Sequence, residues 1–383
     1  MISDYRLSEG QKLYLDALRG GASLLVVFGH ASSVFIPNSP VNKIHVGDFA
    51  VLIFFILSGF LISFSLFSKI SKSKYPFSFF FADRFSRIFV PYVPVIFAVA
   101  IFDHFIINAL HEINIYGQIK WVDNIEPRHT WWHFIGNVLM LQDYPLFQIL
   151  RVTGFSDEFF IRPYGSAAPF WTVSIEWWLY VCFGMGVWIL YQPTDWKLWK
   201  IKLFCGGAFL ISSVTVFYNF VAGSAQCLSM VWGLGACFGW LLANNRFPKS
   251  ISKNIFLSIF VFSSVCMVVR VLAMRIDNIE KLMELQFATF LMAAIFSLFF
   301  LLDKKEVESP IFGGSIKWLA NYSYSMYLTH NTVLIFTHVF IFSGKPSGWI
   351  GMFVSIILSN IVAIGFWWCF ERHYTKVSAY LKS

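Results

Sequence analysis

The chemistry open to this sequence lies in ionisable residues set inside apolar runs. Arg19 and His30 bound "LRGGASLLVVFGH", Glu176 lies in "PFWTVSIEWWLY", and His330 ends "LANYSYSMYLTH". An ionisable group inside a bilayer span costs on the order of 2.5–3.5 kcal/mol on insertion scales, which makes each a functional candidate. An imidazole oriented by a carboxylate can remove a proton from a hydroxyl or act as a nucleophile. The same groups placed in series can pass protons across a membrane.

Arg19 and His30 are eleven residues apart, three helical turns plus about 20°, so they share one helix face with roughly 16 Å between them along the axis. Asp16 lies three residues before Arg19, and the two could equally form an ordinary interfacial pair, leaving His30 as a buried, satisfied histidine. Glu176 falls about two turns into a run entering from the opposite side, which predicts a depth matched to His30 and a base with its orienting partner. Ser323, Tyr327 and His330 recur at i, i+4 and i+7. That stripe predicts a hydrogen-bonding face turned to the bundle interior, with helix packing the commoner meaning for the Ser and Tyr.

Arg84 and Arg87, at i,i+3 in "ADRFSRIFVPY", with Lys69, Lys72 and Lys74 nearby, could clamp a phosphorylated ligand, or contact anionic lipid. Ser58 and Gly59 in "FFILSGFL" permit close helix approach. Six cysteines in apolar segments without CxxC spacing read as small buried hydrophobes, and no metal site is expected.

The elements that must position these groups follow from composition. Hydrophobic residues make up 57% of the 383-residue chain and charged residues 13%; with a mean hydropathy of +0.64, this excludes a soluble globular protein. Apolar runs of spanning length fall near 13–36, 45–68, 88–108, 169–191, 201–221, 224–243, 254–274, 283–302, 320–342 and 348–370. The predicted fold is all-α, a polytopic membrane bundle of about ten helices forming one domain over 1–383.

The net charge of +8 comes from short inter-span segments, which argues for topology rather than nucleic-acid binding. Of the Lys and Arg residues, 19 fall on the side of the termini and eight opposite, so both termini are expected in the cytoplasm. No removable signal peptide is expected. The one long connection, 109–168, is expected on the far face with a short interfacial helix at Trp131 and Trp132. Its Asp123, Glu126, Arg128, Asp157 and Glu158 are candidates for contacting a ligand on that face.

Taken together, "LDALRGGASLLVVFGH", "FFILSGFL", "RFSRIFVP", "FWTVSIEWW", "NYSYSMYLTH" and the closing "FERHY" resemble the acyltransferase 3 family, in family order from about residue 11 to 374. The resemblance implies a ten-helix domain moving an acyl group, usually acetyl, from cytoplasmic acyl-CoA to a hydroxyl across the bacterial inner membrane. Typical acceptors are O-antigen and other envelope or exported glycans, here expected to be lipid-linked.

By that analogy His30 is the essential histidine and Arg19 the family arginine. Arg84 and Arg87 help hold CoA, and Glu176 is the motif carboxylate, with Trp171 beside it. Glu371 and Arg372 form the closing pair, followed here by His-Tyr where Pro-Phe is frequent. The chain resembles the stand-alone form, so any step needing an appended soluble domain is expected to be absent or supplied by another protein. The resemblance also suggests that CoA's phosphates sit at the basic inner residues and its pantetheine arm runs from Arg19 toward His30. There His30 acts as general base or takes the acyl group transiently.

The main competing reading is a proton-coupled transporter or flippase using His30, Glu176 and His330 as a proton path. An envelope-glycan polymerase or ligase would need larger external loops than 109–168 provides, and the ordered motifs fit the membrane-bound O-acyltransferase class poorly.

Overall fold

Apolar runs of the length that spans a bilayer form helices because no other open structure satisfies its own backbone in lipid. The protein, examined as a computed structural model, is described over residues 5–39, 46–70, 75–113, 122, 124–145, 154, 160–191, 199–221, 227–247, 251–276, 284–302, 310–345 and 347–383. Among these residues there is no strand, and seven helices are long and apolar enough to cross a membrane. It is a polytopic helical membrane bundle. Two further apolar helices, Leu228–Ala243 and Leu285–Leu301, are shorter. The ninth expected run, 320–342, has a helix break at Tyr322, just inside its start.

The chain forms two compact units, each drawn from three segments. The first comprises residues 1–29, 38–75 and 223–323. It holds the first part of α1 (Glu9–Phe35), α2 (Val46–Ile70), the two shorter helices and a lipid-facing helix at Lys253–Ile276. Within it α2 lies backbone to backbone against Leu228–Ala243. A Cβ at Gly59 would overlap the Trp232 carbonyl, and one at Gly235 would come 2.5 Å from the Ile56 carbonyl oxygen. Small residues here let dispersion contacts form along the whole helix pair, which is the driving force available in lipid. Phe60, Phe296 and Phe299 fill the adjoining space with edge-on rings 5.3–5.6 Å from Phe60. The early turns of α1 are tied down by Tyr14, whose hydroxyl donates to the Ile295 carbonyl at 3.1 Å.

The second unit comprises residues 30–37, 76–222 and 324–383. Its longest element is α3 (Phe77–Ile113), which starts directly after Pro76 and carries Pro91 and Pro94 within it. The expected span at 88–108 is therefore longer at its start, and Arg84 and Arg87 belong to the helix itself. Proline just before the first turn favours a helix start, and no breaker follows until the internal prolines.

The connection after α3 contains short helices α4 (Ile125–Arg128) and α5 (Trp131–Val138). Thr130 caps α5 by accepting from the His133 amide at 3.3 Å. Trp131 is 79% exposed, as suits an interfacial anchor. Asn137 gathers the loop, donating to the Arg162 carbonyl at 2.8 Å and accepting from the Tyr164 amide at 3.1 Å. The chain then enters α6 (Phe170–Tyr191), followed by α7 (Trp199–Val221).

After Leu228–Ala243 (α8), Lys253–Ile276 (α9) and Leu285–Leu301 (α10) comes α11 (Pro310–Asn321), which lies almost wholly before the ninth expected run, and then α12 (Ser323–Phe336) within it. A π-turn follows at Thr337–Ile341, then α13 (Gly348–Cys369), a 3₁₀ turn at Glu371–His373 and α14 (Tyr374–Lys382). The terminal helix returns to α3, where Ser378 donates to Asp83 at 2.6 Å and Lys382 pairs with the same carboxylate.

Candidate active site

His30 occupies the last third of α1, one residue past Gly29. A Cβ at Gly29 would lie 2.8 Å from the Gly47 amide nitrogen, so glycine is what lets the backbones pass there. Five residues on, Phe35 packs edge-on against His338 and Phe342, at centroid distances of 5.7 and 6.0 Å. His30 is thus presented from a fixed helix end while remaining partly exposed.

The Nδ1 of His30 lies 2.7 Å from Nε2 of His330. On its other side, His330 Nδ1 faces the carbonyl oxygens of Tyr327 at 2.7 Å and Met326 at 3.2 Å. Carbonyl oxygens only accept, so His330 Nδ1 carries a hydrogen and, in the neutral ring, its Nε2 is the acceptor. His30 Nδ1 must therefore donate, which makes His30 Nε2 the nitrogen with the lone pair. The last turn before His330 thus sets the tautomer of both rings, the role that an orienting carboxylate fills in other histidine bases.

At His30 Nδ1 the partner is His330, where the sequence suggested Glu176. Glu176 accepts from Tyr180, one turn further along α6. The i,i+4 spacing on a helix places that phenol within reach, and a local partner of this kind is invisible to an argument from depth. Trp171 lies partly exposed at the start of the same helix. Its neighbour Thr172 bonds the Tyr327 hydroxyl, which also lies 3.2 Å from the Pro169 carbonyl. The entry of α6 is in this way fastened to the helix that carries His330. Of the predicted stripe, Tyr327 and His330 come together, whereas Ser323 turns its hydroxyl to the Ala320 carbonyl at 2.8 Å, beside the helix break.

The basic residues divide by environment. Arg87 pairs with Glu371 at 2.9 Å, and Tyr374 and Tyr324 lie under its guanidinium at 4.9 and 5.7 Å. The other Glu371 oxygen accepts from Ser325, from its amide at 2.9 Å and its hydroxyl at 2.6 Å. A carboxylate on the Ser325 amide, in the first turn of α12, complements the helix dipole and satisfies a donor freed by the break. Arg84, one turn before Arg87, has a buried Nε with no hydrogen-bond partner. Arg19 pairs with Asp16 at 3.0 Å. Arg372 stacks over Trp368 at 4.4 Å. Ser58 accepts from the Trp232 indole at 3.1 Å.

Lys72, Lys74, Asp123, Asp157 and Glu158 lie outside the described residues. Glu126 faces His111 at 3.4 Å. Among the described residues no group of three or more His, Cys, Asp or Glu could hold a metal ion. One group missed in the sequence is Asp103, a buried carboxyl inside α3. The signal was present, since an acidic residue in "AVAIFDHFII" meets the same criterion that singled out Glu176.

The acyltransferase 3 model, described as an acyltransferase domain, matches residues 12–368. That stretch contains Arg19, His30, Arg84, Arg87, Glu176 and His330, and stops three residues short of Glu371. No curated protein and no solved structure matches the chain. With a family match over nearly the whole chain and an oriented histidine in a helical membrane bundle, the chain belongs to the acyltransferase 3 family and is a membrane acyltransferase.

Proposed function

We propose that the protein transfers an acyl group, acetyl in the first instance, from cytoplasmic acyl-CoA to a hydroxyl of a lipid-linked envelope or exported glycan, O-antigen being a typical one. The membrane is the bacterial inner membrane, with both chain termini in the cytoplasm. The observation that carries the reading is the hydrogen-bond chain from the Tyr327 carbonyl through His330 to His30, which gives His30 Nε2 the lone pair.

In direct transfer, His30 Nε2 takes the proton of the acceptor hydroxyl while its oxygen attacks the thioester carbon. The carbon–sulfur bond then breaks, and the departing thiolate takes the proton back from the imidazolium. His330 stabilises that imidazolium by accepting from Nδ1, and Glu176 is assigned to electrostatic support from α6. In the two-step form Nε2 itself attacks the thioester, the carbon–sulfur bond breaks and CoA leaves as its thiolate, and the acceptor oxygen then displaces the imidazole, its hydroxyl proton balancing the one the thiolate takes up. Arg84, with its unpartnered Nε, is the first candidate for a CoA phosphate. Arg87, held by Glu371, supports the same region, and Arg19 marks the inner end of the path along α1 toward His30.

The test is acetyl transfer from radiolabelled acetyl-CoA in vesicles carrying the wild type, His30→Ala or Glu176→Gln, with folding checked for each. Label in glycan that depends on His30 is the expected result. Label trapped on the protein identifies the two-step route. Proton-driven transport with no need for acyl-CoA would replace this reading with the transporter.

A further inference from the structure

We infer that Asp103, Ser166 and Asn331 form a buried hydroxyl-binding subsite that holds the acceptor sugar next to His330; the inference rests on the acyl-transfer reading above. Asp103 is fully buried on α3, and its Oδ2 accepts from the Ser166 amide at 2.8 Å. Its Oδ1 has no hydrogen-bond partner. Asn331, the residue after His330, is 2% exposed and donates through Nδ2 to the Ser166 carbonyl, while its Oδ1 also has no partner. Ser166 bonds the Thr332 hydroxyl at 2.6 Å. Gly165 has φ +47°, and a Cβ there would overlap the Asp103 carboxyl. The loop is therefore shaped around that carboxyl.

Two oxygens that can accept hydrogen bonds are thus fixed by one serine and have no protein donor, and a buried acceptor without a donor is costly. Among the described ion pairs none includes Asp103, so no cation was recruited to it. The complement of two fixed acceptors is a ligand with two hydroxyl donors, as on a sugar ring. A carboxyl group disfavours phosphate, which separates this subsite from the CoA end. Its position fits the expected path, because Ser166 lies in the segment that leads from the connection after α3 into α6 and Asn331 adjoins the base-orienting histidine.

The experiment uses glycolipid extracted from membranes of cells producing the protein, titrated against vesicles with radiolabelled acetyl-CoA. Acetyl-CoA hydrolysis is read in parallel without extract. Asp103→Leu and Asn331→Leu are expected to raise the extract concentration for half-maximal transfer by about tenfold or more, with hydrolysis within about twofold of wild type. Asp103→Asn, which keeps an acceptor oxygen, is expected to recover most of the loss. If Asp103→Leu does not fold, Asp103→Ser is read in its place with the same expectation.

Unchanged transfer in the variants overturns the subsite and assigns the two oxygens to ordered water. Transfer and hydrolysis falling together overturns it in favour of fold support. Hydrolysis by the wild type with no transfer to the extract denies the glycan class and the subsite with it. A wild type with no His30-dependent turnover of acetyl-CoA refutes the acyl-CoA reading itself.

Discussion

Replacing His330 by phenylalanine keeps a flat apolar ring on α12 but deletes the acceptor 2.7 Å from His30 Nδ1. It also frees His30 to adopt the other tautomer, in which Nε2 carries the hydrogen and cannot serve as a base. The lost bond runs to a ring that becomes positively charged during the reaction, and such bonds contribute about 1.5–3 kcal/mol. At roughly 1.4 kcal/mol per decade, kcat should fall about 10- to 150-fold. His330→Gln can place a carbonyl oxygen near the former Nε2 and should lose less than about tenfold. The assay is acetyl-CoA turnover by purified enzyme in vesicles, with kcat and the KM for acetyl-CoA measured separately and folding checked by gel filtration and thermal melting. The KM should stay within about twofold, because the bond strengthens only as charge develops. A well-folded His330→Phe enzyme with wild-type kcat would refute the tautomer argument. Equal losses in the Phe and Gln variants would reduce His330 to a packing residue.

Two further predictions concern stability. Arg87→Met should lower the melting temperature in detergent, since breaking a buried pair costs about 3–5 kcal/mol and Glu371 is left 1% exposed without its cation; the double variant with Glu371→Leu should lose less than the sum. An Arg87→Met enzyme with unchanged melting but a higher KM for acetyl-CoA would assign Arg87 to the ligand instead. In the connection between α3 and α6, burial pushes the Asp143 carboxyl up to about 6 against the opposing pull of Arg162 and Arg128. The folded state therefore holds this proton more tightly than the unfolded chain, so its stabilisation is present below about pH 4 and is lost as pH rises through about 6. Asp143→Asn should raise the melting temperature at pH 7.5, with an upper bound of roughly 3 kcal/mol, and change little at pH 4. Stabilisation confined to pH 4 would reverse the sign and refute the assignment.

The sequence revealed much of the fold because lipid leaves few choices. Charges punctuate the apolar runs, and each long run became a helix. The start of α3 is not legible in the hydropathy, because Arg84 and Arg87 look like an end to the membrane, whereas the helix continues through them to Phe77. The helix break at Tyr322, just inside the start of the ninth run, was hinted at only by Asn321 and Ser323, both suited to helix ends. His30 was legible from the cost of an imidazole in a span. Its bond to His330 was not, because the two lie 300 residues apart and periodicity relates only residues within one element. Arg87 illustrates the same limit, since its spacing from Arg84 suggests a phosphate clamp while its ion pair lies near the end of the chain.

The central claim is that His30, with its lone pair on Nε2, moves the acyl group. The most direct measurement is radiolabelled acetyl transfer from acetyl-CoA in vesicles containing wild type or folded His30→Ala. The account predicts label in glycan, or trapped on protein, only with the wild type. Equal transfer by His30→Ala would contradict it, whatever the roles of the residues around it.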